Sequence, residues 1–568
     1  MSQTTHSSKI NRRELLGAGA ALMGAAATGL AFEPKAVAEK KSATTPGAAS
    51  GSATPNYAPP VVQVDGGQLR GFRDGKTTVF LGIPYAEAER FELPKPVKPW
   101  QGVKSAQAWG PVCPIPASAV GPDEFVFPHR YWVENEHCQV LNIWTQNPSA
   151  SSKKPVMLWL HGGGFTNGSS MESYAYDGKN LSEYGDVVVV SLNHRLNILG
   201  TLDLSAYGPE YAQSRYTGTA DLIAALEWIK TNIAQFGGDP GNVTLFGQSG
   251  GGSKAARMMH TPTAEGLFHK VVTQSGGGEV LADSDLAALI KTQQAIAAAT
   301  LANLNLTGND VAQLKTIPYQ QLLAAGQAAL KTVAQGNGGR GGGWAVIADD
   351  KFITRDFCEW SSSIPQMSGS VFSEMVGTLT KGTGKNDWTP QQVDEHLTTQ
   401  YGDKKGAVIA AFKNSFPRKK VQDVLYFAPP NTRALAAKSK AGKAPVYNYL
   451  FAYEYPVNGG ITSFHCSEIA FVFHNLTEPH IHVASGGAPE SLALQDKVST
   501  AWLNFAKTGN PTQPGLDWKP FSPDDTQTMV FDTVSECRNI HAADLIALLP
   551  RVDPFGRPAD PTPTPARP

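Results

Sequence analysis

Gly247-Gln248-Ser249-Gly250-Gly251 is the segment of this chain best suited to chemistry, a G-x-S-x-G pentapeptide directly after the apolar run VTLFG that begins at Val243. A serine hydroxyl is a weak nucleophile at neutral pH and needs a base to take its proton. The flanking glycines let the backbone form the strained strand-to-helix elbow that exposes the oxygen, and a helix over residues 252–260 would add a favourable dipole. The stretch nearly matches a phosphate-binding loop as well. Lys254 is followed by Ala255, however, so the required Lys-Ser/Thr pair is missing.

A three-residue pattern says little alone, so the partners decide. Acyl transfer needs donors aimed at a developing oxyanion, and the run VMLWL from Val156 ends in His161-Gly162-Gly163-Gly164-Phe165. Consecutive glycines let backbone N–H groups approach a substrate closely. The expected donors are the N–H groups of Gly163, Gly164 and Gly250. The base is expected at His465, in the Gly-containing loop GGITSFHCSE after VYNYLF and before the helical SEIAFVFHNL. His260 and His269 lie too near Ser249 in sequence to reach it from another strand's loop, while His474, His480 and His482 fall on or beyond the next helix. The orienting carboxylate is assigned to Glu374, directly after QMSGSVF, with Asp349 and Asp350 as rivals that read as a surface turn.

These residues must be held by something rigid. Short, continuously apolar runs at Val156, Asp186, Val243, Lys270, Gln366, Val446 and Thr528, most of them followed by helical patterning, read as strands buried on both faces. Residues 61–72 and 77–86 alternate and carry Gly turns, so they read as antiparallel strands at the leading edge. The fold class is therefore α/β, a large, mostly parallel mixed sheet with helices on both faces, and its ligand crevice lies beyond the carboxyl ends of the strands. Residues 283–335 and 390–437 are read as helical insertions that cap the site. Phe125, Phe127, Phe165 and Trp344 are candidates to line an apolar pocket.

The chain has 568 residues, 48 basic against 49 acidic, and a formal net charge of -1. That balance provides no field to gather nucleic acid or an anionic membrane surface and favours a small neutral substrate. Residues 1–38 read as a twin-arginine-type signal peptide, with Arg12-Arg13 before a Gly/Ala-rich apolar stretch and Ala36-Val37-Ala38 as a cleavage site. Periplasmic or secreted localisation follows, without stable membrane insertion after cleavage. Residues 39–60 read as a disordered linker, 61–550 as the catalytic domain and 551–568 as a Pro-rich disordered tail. None of the five cysteines has C-x-x-C spacing, so no metal site is expected, and the chemistry read above calls for no cofactor.

In order along the chain, FLGIPYA at Phe80, RFELP at Arg90, EHCQVLNIW at Glu136, SLNHRLNILG and FGGDPGNVTLFGQSGGG resemble the type B carboxylesterase family, which includes the cholinesterases. The resemblance covers nearly all of residues 61–532. It implies an α/β-hydrolase fold, a Ser249, Glu374, His465 triad, a Gly163, Gly164, Gly250 oxyanion hole and a Cys113–Cys138 disulfide. That bridge would close a loop of roughly 25 residues and constrain the unfolded chain by about 3 kcal/mol. Two departures matter. Cholinesterases carry Glu before the nucleophile where this chain has Gln248, and Trp132 lies closer to Cys138 than the choline-stacking tryptophan of that family would. Hydrolysis of neutral carboxylic esters through an acyl-enzyme is the expected activity. Amide or thioester hydrolysis would use the same residues, and a non-catalytic binding role is the rival from another class.

Overall fold

The computed structural model describes residues 58–116, 129–277, 283–336, 343–374, 384–539 and 542–550. The segment 1–38 read as a signal peptide, most of residues 39–60 read as a linker, residues 551–568 read as a tail, Phe125 and Phe127 lie outside the described residues.

Fourteen strands form among the described residues: β1 (Val61–Val64), β2 (Gly67–Arg70), β3 (Phe72–Asp74), β4 (Thr77–Pro84), β5 (Val103–Ser105), β6 (Val140–Thr145), β7 (Lys154–Leu160), β8 (Val188–Leu192), β9 (Gly238–Gln248), β10 (Lys270–Gln274), β11 (Gln366–Val371), β12 (Val446–Phe451), β13 (Gln527–Phe531) and β14 (Glu536–Asn539). Eleven of them make one sheet in the order β14-β13-β12-β11-β10-β9-β7-β8-β6-β4-β3. The pairs from β8 through β13 are parallel, and both edges are antiparallel. This is the mostly parallel mixed sheet expected from the apolar runs, and it agrees with the α/β-hydrolase fold that the resemblance implies.

Those runs are continuous because both sheet faces are covered. Met157 and Trp159 join one core with Trp502 and Phe505 of the Pro489–Thr508 helix. Val156, Leu158 and Leu160, pointing the other way, join a second core with Leu222, Leu226 and Ile229 of the Thr217–Asn232 helix. The inserted segments are helical, with Asp283–Asn303 and Tyr319–Gly336 in one and Pro390–Tyr401 and Lys405–Ser415 in the other. Among the described residues, no helix is long and apolar enough to cross a membrane.

The leading edge differs from the expectation in one respect. β1 and β2 do not extend the large sheet; they pair with each other and, through β2, with the unanticipated β5. The chain changes sheets at Gly71, whose N–H donates to Pro60, and a Cβ there would stand 2.4 Å from the Val79 carbonyl oxygen. From β7 the chain runs outward to β8 on one side, then returns to β9 on the other. The carboxyl ends of β7 and β9 therefore flank a topological switch point, where such sheets open a crevice.

Candidate active site

Ser249 follows β9 with φ 56° and ψ -122°, a conformation that side chains other than glycine rarely adopt. Its N–H donates to the Gln274 carbonyl at the end of β10 (2.7 Å), and its own carbonyl accepts from Ser253 N–H (3.0 Å), so the elbow is pinned on both sides. The turn is also crowded. A Cβ on Gly251 would come 1.8 Å from the Leu160 carbonyl oxygen, and one on Gly247 would come 2.5 Å from the Gly251 carbonyl carbon. Glycine is required at both positions. The Gly250–Met258 helix starts behind Ser249, and the N–H groups of its first turn have no partner inside the helix.

The loop after β7 lies against that helix start. Gly163 and Gly164 take φ values of 81° and 64°. The Gly163 carbonyl accepts from Thr166 and Asn167 N–H (3.2 and 2.9 Å), which closes a tight turn. A Cβ on Gly250 would stand 2.4 Å from the Gly164 backbone, so the three expected donor residues are brought together.

Loops after β11 and β12 supply the remaining members. Glu374 Oε2 lies 2.6 Å from His465 Nδ1, and the His465 N–H donates to the Glu374 carbonyl (3.0 Å). Glu374 Oε1 accepts from Val371 N–H (3.1 Å), which fixes the carboxylate. The two loops are cross-linked by Ser373 N–H to the Ser463 carbonyl (2.9 Å) and by the Ser373 and Thr462 hydroxyls (2.5 Å). With Nδ1–H donated to Glu374, Nε2 carries the lone pair a base requires. Gln248, beside Ser249, places its amide nitrogen 3.3 Å from that Nε2, and the Cys466 thiol donates to the amide oxygen (3.1 Å).

The rivals are used elsewhere. Asp349 accepts from the N–H groups of Lys351, Phe352 and Ile353 in a turn, and Asp350 pairs with Arg355. His260 is buried against Thr354, and burial lowers its pKa to about 4. His474 pairs with Asp496 on the surface. Phe165 packs against the Tyr216 and Val346 cluster, and Trp344 is buried with Leu322 and Leu330.

Glu468 and Gln274 were not anticipated. Glu468 is fully buried, and burial, followed by the Glu374 charge, pushes its pKa up to about 7. It accepts from Gln274 Nε2 (3.3 Å), whose backbone carbonyl holds Ser249 and whose side-chain oxygen accepts from Trp502. The spacing of Glu468 three residues beyond His465 was the available signal.

Cys113 and Cys138, the expected bridge partners, are packed side by side. Both residues are buried free thiols that touch one another, and burial followed by a hydrogen bond with Cys113 pushes the Cys138 thiol well above its usual range. Packing brings the sulfurs together, but joining them is an oxidation that packing does not perform. Among the described residues, no group of three His, Cys, Asp or Glu side chains is arranged to hold a metal ion.

A family model described as "Carboxylesterase family" matches residues 58–545. The para-nitrobenzyl esterase of Bacillus subtilis (strain 168) is 30% identical over 492 residues, spanning 83% of this chain and 95% of that protein. The phenmedipham hydrolase of Pseudarthrobacter oxydans is 29% identical over 500 residues, spanning 83% and 94%. Among solved structures, an esterase from Clostridium hathewayi described as hydrolysing aliphatic aromatic polyesters is 39% identical with a TM-score of 0.78, covering 86% of this chain and 97% of that one.

Proposed function

The chain belongs to the carboxylesterase family and hydrolyses carboxylic esters, and from that premise we propose that Ser249, His465 and Glu374 carry the reaction on small neutral esters. Ser249 Oγ attacks the ester carbonyl carbon while His465 Nε2 takes its proton. The N–H groups of Gly163, Gly164 and Gly250 receive the oxyanion. His465 then protonates the departing alcohol, and a water deprotonated by the same imidazole releases the acid from the acyl-enzyme. Glu374 keeps one tautomer of His465 and stabilises the imidazolium. The observation that carries this reading is the 2.6 Å contact between Glu374 and His465 on the loops facing the Ser249 elbow.

Neutral substrates are favoured because the side chain beside the nucleophile and base is the uncharged amide of Gln248. Aryl and alkyl esters fit this reading, in keeping with the relatives' descriptions as a para-nitrobenzyl esterase and as a hydrolase of aliphatic aromatic polyesters. Export through the twin-arginine route, with a Cys113–Cys138 bridge closing afterwards in an oxidising compartment, belongs to the same proposal. Mass mapping of the exported protein without reductant tests the bridge.

For the catalytic reading, the wild type should hydrolyse p-nitrophenyl butyrate and be labelled at Ser249 by a fluorophosphonate, and Ser249→Ala should lose both properties. Full activity in Ser249→Ala would overturn it.

A further inference from the structure

Lys254 is a buried cation that the ester hydrolysis described above does not use. It sits on the Gly250–Met258 helix at 1% exposure. Its Nζ donates to the His161 carbonyl (3.1 Å), the one hydrogen bond this ammonium makes among the described residues, and the Phe165 ring lies 6.0 Å away. Among the described residues, no carboxylate forms an ion pair with it. Side chains on a helix lean toward its N-terminus, which carries this ammonium back to the positive end of the helix dipole. An ammonium is costly to bury without an ionic partner, and this one also meets an unfavourable dipole. Burial pulls its pKa down to about 7, against Glu172 and Cys113, which favour the charged form. The neighbouring imidazoles of His161 and His194, stacked 5.2 Å apart, are driven well below their usual range by burial and by Lys254 itself.

The peptide planes give this placement a purpose. In a trans peptide unit the C=O and the following N–H point in opposite directions, so anchoring one carbonyl aims the next N–H the other way. In the loop after β7, three consecutive carbonyls are anchored. The His161 carbonyl is held by Lys254, the Gly162 carbonyl by His161 Nδ1 (3.0 Å), and the Gly163 carbonyl by Thr166 and Asn167 N–H. The N–H groups of Gly162, Gly163 and Gly164 are thereby set opposite to these anchors. Glycines have no side chain to restrain such planes, so the anchors must do it.

We infer that Lys254 is a positioning residue of the oxyanion hole: it fixes the His161–Gly162 peptide plane from which the loop starts, and through that fixed start keeps the two following planes, which carry the Gly163 and Gly164 N–H groups, aimed at the reacting carbonyl. This rests on the oxyanion role proposed above for Gly163, Gly164 and Gly250. Transition-state stabilisation depends on donors organised before the charge develops, so loss of the anchor appears in kcat more than in substrate binding.

The test uses Lys254→Met, which keeps the length and apolar stem, and Lys254→Gln, which keeps an N–H donor without the charge. In Lys254→Met, kcat for p-nitrophenyl butyrate should fall roughly 10- to 100-fold, less than the roughly 10²–10³ expected for deleting a donor outright. KM should stay within about threefold, and affinity for a trifluoromethyl ketone analogue should fall in proportion to kcat/KM. Lys254→Gln should recover part of the loss. Labelling by a fluorophosphonate separates the two readings. Failure to label the wild type would remove the catalytic serine and this inference with it, whereas equal labelling rates in wild type and Lys254→Met would remove only the inference. A folded Lys254→Met with kcat within twofold of wild type, a loss confined to KM, or failure of both variants to fold would each overturn it.

Discussion

Replacing Gly251 by alanine tests whether the oxyanion loop and the nucleophile helix work as one unit. The added Cβ would stand 1.8 Å from the Leu160 carbonyl oxygen and 2.8 Å from that of His161, against the 3.0 Å that real Cβ contacts respect. Both atoms are backbone at the end of β7, so the shortfall of about 1.2 Å has to be met by moving the loop or the helix. A displacement near 1 Å at a catalytic group costs roughly 100-fold in rate, and overpacking in a dense interior costs about 1–3 kcal/mol in stability. Gly251→Ala should therefore lose about 10²-fold or more in kcat while unfolding at a modestly lower temperature. Gly266→Ala is the control, because that residue takes no part in the proposed chemistry. Its Cβ would meet nothing within 4 Å, and φ of 69° adds only about 1 kcal/mol of strain. Steady-state kinetics on p-nitrophenyl esters of increasing acyl length, with thermal midpoints, separate the effects. A Gly251→Ala enzyme with kcat within threefold of wild type would refute the claim that these two backbones are locked together.

Glu374→Gln should keep KM within about threefold while kcat falls roughly 10³–10⁴-fold, because the amide no longer selects the tautomer or stabilises the imidazolium; a tenfold loss or less would reduce Glu374 to a structural role. Glu468 has a folded pKa of about 7 against 4.5 for an exposed glutamate, so its stabilising contribution is complete below about pH 4.5 and is lost as pH rises through about 7, a swing of about 3 kcal/mol. Urea midpoints at pH 5 and pH 8 should differ less in Glu468→Gln than in wild type, and identical slopes would contradict this. Asp221 accepts from the Nε, Nη2 and backbone N–H of Arg195, both side chains being almost wholly buried. Asp221→Ala should lose about 3–5 kcal/mol in chemical denaturation, and an Arg195→Met/Asp221→Leu pair should recover much of that; equal losses in both would show that the charges themselves are not at issue.

The parts of this site visible in the sequence are those that depend on short stretches of chain. Residues 188–192 read as a strand because every side chain is buried, and Ser249, Gly163 and Glu374 could be placed because each follows such a run by one to three residues, whereas His465 was found from its Gly-containing loop between the β12 run and the next helical stretch. The parts that stayed hidden depend on pairings across the chain. Glu468 meets Gln274 across 194 residues, and Lys254, dismissed as a failed phosphate-loop lysine, finds its purpose in a carbonyl 93 residues away. The small sheet escaped notice for a similar reason. β5 is three exposed residues with no apolar pattern of its own, and only β2 makes it a strand.

The strained positions follow from the same architecture. A strand points successive side chains to its two faces, both of which are packed here, whereas the crevice lies along the strand axis. A reactive side chain must leave the strand's alternation to reach it. Ser249 and Ser275, at the ends of adjacent β9 and β10, have φ of 56° and 47°, Glu374 after β11 has 40°, and Cys466 beside the base has 76°. Glycine would relieve each, at about 1–3 kcal/mol per residue, but Ser249 and Glu374 need side chains. Their strain persists because the buried parallel strands hold both ends of each turn. The Ser249 elbow is anchored to β10 through Gln274, and the Glu374 turn is anchored to β11 through Val371, so the sheet that brings these proposed catalytic residues to one edge is also what keeps them in unfavourable conformations.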